Sequence, residues 1–218
     1  LGGIAVGEAM RRLSETHPGV RLEMINAARR PSANLVGIDV SVVVGRPEVS
    51  RNESFHLADY FLGLYASAAY VERHPVIESP AQLQEHPLLY FIESMQDVPE
   101  LIDPVRHLPR MHQSIGATSS MVHVELTRSG AGIGLLPCYL ADRAGDLVRL
   151  FPEEFAFRAS YWAVSRPDLL KRPAVKAVMD ALRATVEDMK DELAASAGTG
   201  RARPRGERRG PRANALAR

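Results

Sequence analysis

The sequence predicts an α/β protein in which one lobe is inserted into another. Three observations lead there. Strand-like and helix-like runs alternate along the chain, the pattern that builds sheets covered by helices. The run "FHLADYFLGLYA" (55–66) is far longer than the common strand of about 5–6 residues, and "FAFRASYWAVS" (155–165) is a second such run. A strand of that length can leave one sheet and enter a neighbouring one. About ninety residues separate the two runs, so the chain between them reads as an insertion rather than a second bead on a string.

Taken in order, residues 3–16 read as a helix with Ile4, Met10 and Leu13 toward one side, stopped by His17-Pro18-Gly19. "VRLEMI" (20–25) alternates and reads as a strand. A helical turn near Ser32–Val36 leads into "IDVSVVV" (38–44), whose β-branched run predicts a strand buried on both faces. Together these form a crossover unit, expected to be right-handed. After the first long run, "SAAYVERH" (67–74) starts a helix and "SPAQLQEH" (79–86) another, with Ser79 as N-cap and Pro80 first inside. Residues 93–110 read as irregular. "HQSIGA" (112–117) is a short strand, 119–129 a helix and "IGLLP" a strand that Pro137 ends. The closing helix, 172–195, carries Val175, Val178, Met179, Leu182, Val186, Met189 and Leu193 at helical spacing.

"RSGAGIGLLPCYLA" (128–141) looks at first like a phosphate-gripping loop. Such a loop follows a strand and opens a helix, so that unpaired N–H groups face the anion. Here the helix comes first and the strand last, and the third glycine of G-x-G-x-x-G would fall on Leu135. Gly130 is placed to end the helix in a left-handed conformation. Gly132 and Gly134 let the backbone turn and pack closely. The glycines are mechanical. Attention moves upstream to Thr118, Ser119 and Ser120, where a strand ends and a helix begins. Hydroxyls there either cap the helix or hydrogen-bond a bound carboxylate. Ligands of open α/β sheets bind outside the carboxyl ends of strands.

Composition bounds the rest. The chain has 218 residues, 45% hydrophobic and 24% charged, within the range of globular proteins. No apolar run approaches a membrane span, and the N-terminus lacks a secretory pattern. The one cysteine, Cys138, excludes an internal disulfide and a cysteine zinc cage, which fits a reducing cytoplasm. It reads as a buried inert thiol. The segment 196–218 holds seven arginines against Glu207 alone, a net +6 that leaves −5 for the rest of a +1 chain. Leu216 is its one large apolar residue, so it is expected to be disordered; it is either a plain solvated extension or a basic arm touching nucleic acid. His107 and His112, and His123 and Glu125, are spaced so that neither pair shares a helix face, and no metal site is expected. No G-x-S-x-G elbow is present. Glu153-Glu154 reads as a solvated corner, and Arg29-Arg30 as a turn or an anion partner near a cleft.

Several stretches together resemble a known family. "RRLSETHPGVRLEM", "VGIDVSVVVGRP", "LYASAAYVERHPVIESPAQLQEHPLL", "TRSGAGIGLLPCYLADRAGDLVRLFP" and "YWAVSRPDLLKRPAVKAVMDAL" follow one another as in the effector-binding domain of LysR-type transcriptional regulators. The resemblance covers about residues 4–190. It implies two Rossmann-like lobes joined by two crossover strands, like type II periplasmic binding proteins, with a small effector in the cleft. Carried over by position, Leu64–Ser67 and Tyr161–Val164 would be the crossovers. Residues 1–66 with 164–195 would form one lobe and 67–163 the inserted one. Thr118, Ser119, Asn26 and Ser67 match cleft positions, with Leu136 and Pro137 along the far wall.

The resemblance further implies a small-molecule effector, a carboxylate among the candidates, and a homodimer or tetramer. The apolar side of helix 3–16 is one candidate contact. DNA would be bound through an N-terminal helix-turn-helix that this sequence lacks; no cofactor, membrane or catalysis is implied. The first strand of lobe one is also missing, so a fragment or a clipped start is expected. A sheet short of a central strand leaves open edges, and low stability of residues 1–218 in isolation is expected. Two other readings remain: a solute-binding protein of an uptake system, separable by the upstream sequence, and an enzyme with a rearranged site.

Overall fold

The structure, a computed structural model, describes residues 2–25, 37–48, 51–95 and 98–195. The expectations for Asn26, Arg29-Arg30, the turn at 32–36 and the tail at 196–218 lie outside the described residues. The first helix is α1 (Gly2–Thr16). Its fully buried line is Ala5, Ala9 and Leu13 rather than Ile4, Met10 and Leu13. Four-residue spacing stacks these side chains on one face. The two alanines let α1 lie close against α6 (Pro173–Asp188), and Arg12 reaches across to Asp188 at 2.6 Å.

Residues 20–25 do not form the expected strand. Leu22, Met24 and Ile25 are exposed, and among the described residues no strand lies beside them. Without a neighbour to pair its N–H and C=O groups, an alternating run gains nothing from strand geometry over solvation. The next strand, β1 (Ser41–Val44), is shorter than "IDVSVVV" and only half-buried. Among the described residues it ends the sheet, with one neighbour, and that neighbour runs antiparallel: β7 (Phe157–Ser165). An edge strand is covered on fewer sides than a central one, so the both-face burial and the crossover unit are not formed here.

The first long run is β2 (Glu53–Ser67), fifteen residues. It pairs antiparallel with β7 from Glu53 opposite Ser165 to Leu62 opposite Phe157, with an irregularity between His56 and Ala58. Near Leu62 its partners change. β5 (Ile133–Pro137) takes Leu62 to Tyr65, and β6 (Leu147–Leu150) takes Leu64 to Ser67. The same strand thus serves two neighbourhoods in turn. Beyond β5 the pairing is parallel, through β3 (Pro87–Phe91) to β4 (His112–Ala117), giving the order β1-β7-β2-β5-β3-β4 with β6 also on β2.

The helices follow the expected positions with three differences. α2 (Ala68–Arg73) stands where predicted, but Pro80–Glu85 is a 3-10 helix, held by a reciprocal capping box between Ser79 and Gln82. Residues expected to be irregular contain α3 (Pro99–His107), which buries Leu101 and Pro104; proline supplies apolar surface there despite its missing donor. The closing helix is two, α6 and α7 (Lys190–Ala194), broken at Met189. Its Val175, Met179, Leu182, Val186, Met189 and Leu193 are all buried, each contributing on the order of 1.5–3 kcal/mol. α4 (Ser120–Arg128) precedes β5 as read from sequence, and α5 (Cys138–Ala144) follows it. One buried apolar cluster runs from Ala5 through Leu64 and Leu135 to Leu193, while Leu13, Val175, Met179 and Leu182, on α1 and α6, are buried outside it.

Candidate functional site

The glycine stretch closes α4. Gly130 has φ +79°, its N–H bonds Thr127 O at 3.0 Å, and Ala131 N–H bonds Leu126 O at 3.3 Å. This is the paired closure that a left-handed residue after a helix provides. A side chain on Gly134 would overlap Thr127 Oγ1, and one on Gly132 would stand 2.6 Å from the Pro87 carbonyl. Both glycines are set by close contact with the neighbouring layer.

The opposite end of α4 is built differently. β4 runs parallel to β3, ends at Ala117, and passes through Thr118 and Ser119 into α4. Thr118 is exposed and Ser119 half-buried. Ser119 occupies the N-cap with extended dihedrals, yet its side chain makes no cap hydrogen bond. The helix therefore starts with unpaired N–H groups, a positive dipole end and an uncommitted hydroxyl, which together suit a carboxylate. Beneath this start lies His123. It is 1% exposed and donates from Nε2 to the Ala117 carbonyl at 3.2 Å. Burial holds its pKa below the usual imidazole value despite the hydrogen bond to the Ala117 carbonyl, so it stays neutral at neutral pH, and its Nδ1 has no hydrogen-bond partner. Tyr90, at the end of β3, is 3% exposed; burial and then nearby Tyr60 push its phenol well up.

The other sequence-predicted positions are distributed differently. Ser67 is buried and its hydroxyl is already used, accepting from Tyr70 N–H at 3.2 Å to cap α2. It lies near Gly130, at the far end of α4 from Ser119, about 16 Å away at a helical rise of 1.5 Å per residue. Leu136 is fully buried and paired with Gly63; Pro137, also buried, pairs with Leu62 and opens α5. Thr118 and Ser119 are thus brought together, Ser67 is not beside them, and Leu136 and Pro137 sit in the core. Sequence reasoning missed Tyr90, Phe91 and the placement of His123. The rule that ligands gather at the carboxyl ends of parallel strands applies to "LLYF" as well as to "SIGAT" and would have found the first two.

Elsewhere, a groove of about 520 Å³ between α1 and α6 is lined by Arg12, His17, Lys176 and Asp180, and none of its lining residues belongs to α4. Among the described residues no three His, Cys, Asp or Glu group to hold a metal ion. None of the described helices is long and apolar enough to cross a membrane.

Comparison with known proteins decides the family. A family model described as the LysR substrate binding domain matches residues 2–187. The chain belongs to that family. Among solved structures with the same fold is the regulatory domain of CrgA, a LysR-type transcriptional regulator from Neisseria meningitidis. It has a TM-score of 0.72, 22% identity, and coverage of 84% of this chain and 93% of that one. The effector domain of AmpR from Pseudomonas aeruginosa gives 0.68 at 22% identity, covering 88% and 94%. At these identities the likeness establishes the fold: mixed α/β with an open sheet, as in LysR regulatory domains. An uncharacterized HTH-type transcriptional regulator of Haemophilus influenzae is 22% identical over 142 residues, 63% of this chain and 49% of that protein. The LysR-family chain thus spans about half the length of the curated relative it matches.

Proposed function

We propose that this chain is the effector-sensing part of a DNA-binding transcriptional regulator that acts in the cytoplasm. A small organic molecule carrying a carboxylate binds between a lobe of residues 1–66 with 164–195 and an inserted lobe of 67–163. Ligand binding shifts the equilibrium between two arrangements by the difference in its affinity for them, and no chemistry is performed. DNA is bound by an N-terminal helix-turn-helix, and the protein works as a homo-oligomer. Family membership supports the regulatory role, and the relative named as an HTH-type regulator favours it over solute transport.

The observation that carries the reading is the start of α4, where Thr118 is exposed and the Ser119 hydroxyl has no capping bond. Asn26 is retained as an effector contact on its sequence position alone, whereas Ser67, Leu136 and Pro137, also expected as contacts, are buried, with the Ser67 hydroxyl already bonded to Tyr70. The test is a thermal-shift and calorimetric screen of organic acids on the full product of the gene, since a ligand raises stability by mass action. Replacing Thr118 and Ser119 together by alanine is expected to weaken any hit about a hundredfold or more, at about 1.5–3 kcal/mol per lost charge-assisted bond. Unchanged affinity removes them from the site.

A further inference from the structure

The ends of β1 and β3 face each other from opposite flanks of β2. β1 runs with β2 and stops at Val44, which is level, through Tyr161, with Ala58. β3 runs against β2. Its Leu89 is level, through Gly134, with Tyr65, and the strand stops two residues on, at Phe91. α3 follows β3 and lies along the half of β7 that β1 does not reach. Its His107 ring is 6.2 Å from the ring of Phe157, where β7 starts, and Glu100 in its first turn meets the end of β1. There Gly45 has φ +73° and its N–H donates to the Ser160 carbonyl at 2.8 Å. The next N–H, that of Arg46, donates to Glu100 Oε1 at 3.3 Å. The carboxylate packs so closely on Gly45 that an added methyl would overlap it.

We propose that Glu100 is a latch that holds α3 as a strap across the gap between the ends of β1 and β3. A helix of nine residues is marginal by itself. α3 has two further weaknesses: Val98 at its N-cap offers no side-chain bond, and Pro104 inside it has no N–H. Burial of Val98, Leu101 and Pro104 seats it. Among the described residues its other hydrogen bonds close within 98–108, so Glu100 makes the bond that ties it to a distant segment. The tie is releasable. Arg46 turns its guanidinium over the Trp162 ring, 5.7 Å from the centroid, and no ion pair engages Glu100 among the described residues. A carboxylate held by one long amide bond is freed more easily than one in a bidentate pair. Release uncovers that half of β7 and lets the ends of β1 and β3 part. As a gate between the two proposed lobes this rests on the effector reading above, but the latch is tested without a ligand, so its failure leaves that reading standing.

Hydrogen exchange read by mass spectrometry on the full product of the gene tests the latch, because a local opening shows as faster exchange confined to one segment. Glu100→Ala is expected to speed exchange across 100–107 about threefold to tenfold and to leave 62–65 and 133–137 unchanged. Glu100→Gln keeps an acceptor and is expected to stay close to the parent. Gly45→Ala, whose methyl takes the place of the carboxylate, is expected to open α3 as Glu100→Ala does, and the two together to add little. The Gly45 variant separates a latch from an acid that merely favours the start of its own helix, since it leaves the sequence of α3 untouched. Unchanged exchange across 100–107 in Glu100→Ala overturns the proposal. So does a Gly45→Ala variant whose α3 exchanges like the parent, or a glutamine variant that opens as far as the alanine one. Faster exchange in every segment alike overturns it too, because that is a loss of global stability and not the release of a strap.

Discussion

Replacing Gly134 by alanine tests whether the glycine-rich stretch is held by packing. The added methyl would overlap Thr127 Oγ1 and stand 3.1 Å from Leu136 Cδ2. Thr127 and Leu136 are both fully buried, so neither can swing into solvent. The Thr127 hydroxyl donates to the His123 carbonyl at 2.8 Å, and displacing it disturbs the helix that carries the candidate site. Overpacking of this kind costs about 1–3 kcal/mol, or roughly 4–8 °C in Tm at the middle of that range for a chain this size. Thr127→Ala alone loses a methyl group and a side-chain bond to its own helix, about 1 kcal/mol. In the double variant the new methyl enters the space the hydroxyl left. The pair is therefore expected to cost little more than Thr127→Ala, a favourable coupling of about 1–2 kcal/mol. Urea unfolding followed by Trp162 fluorescence measures all three variants. Gly7→Ala is the control: it lies within α1 with nothing within 4 Å of a new side chain, and a gain of about 0.5–1 kcal/mol is expected. Additive losses in the double variant would refute the packing account.

Burial, and then the neighbouring His74, hold the pKa of His86 below 6.5, and burial does the same for His123. The folded form then binds protons less readily than the unfolded chain, so this stability is complete above pH 6.5 and is lost as pH falls below it. Tm measured from pH 7.5 to 5 should fall, and His86→Gln should flatten the fall; a pH-independent Tm contradicts the assignment. Cys138 is 1% exposed, with its thiol pushed up mainly by burial. It should react with an aromatic disulfide only after unfolding, and rapid labelling of the native protein would show that the site opens. Ser67→Ala should lower stability by about 1 kcal/mol without weakening an acid ligand, whereas Ser119→Ala should weaken the ligand and barely shift the urea midpoint.

Most of the frame was legible because it rests on local signals. The long strands read at 55–66 and 155–165 and found at 53–67 and 157–165, the stop at Gly130, the strand 133–137 and the start of α4 all follow from spacing and residue type. What failed depended on neighbours. "VRLEMI" has the alternation of a strand, but pairing is a property of two segments, and among the described residues the second is absent. "IDVSVVV" has the composition of a central strand, yet among the described residues only β7 lies beside it. α3 was hidden by Pro104, which reads as a breaker in sequence yet is buried apolar surface in place. At the site, Thr118 and Ser119 were visible from the strand-to-helix switch.

Ser67 and Ser119 show why sequence alone could not finish the assignment. Each follows a strand and precedes a helix, so each reads equally well as an N-cap or a ligand contact. The difference lies in commitment. α2 is six residues long and begins in a buried corner, where the Tyr70 N–H has no water to turn to and takes the Ser67 hydroxyl. α4 begins where Thr118 is exposed, so water can satisfy its first N–H groups and the Ser119 hydroxyl remains unspent. A hydroxyl bound to its own helix must break that bond before it can hold a ligand, which subtracts about 0.5–1.5 kcal/mol from any affinity it adds. An uncommitted one starts without that penalty. If the proposed acid effector binds here, Ser119 is therefore better placed to contact it than Ser67, whose hydroxyl already closes the first turn of α2.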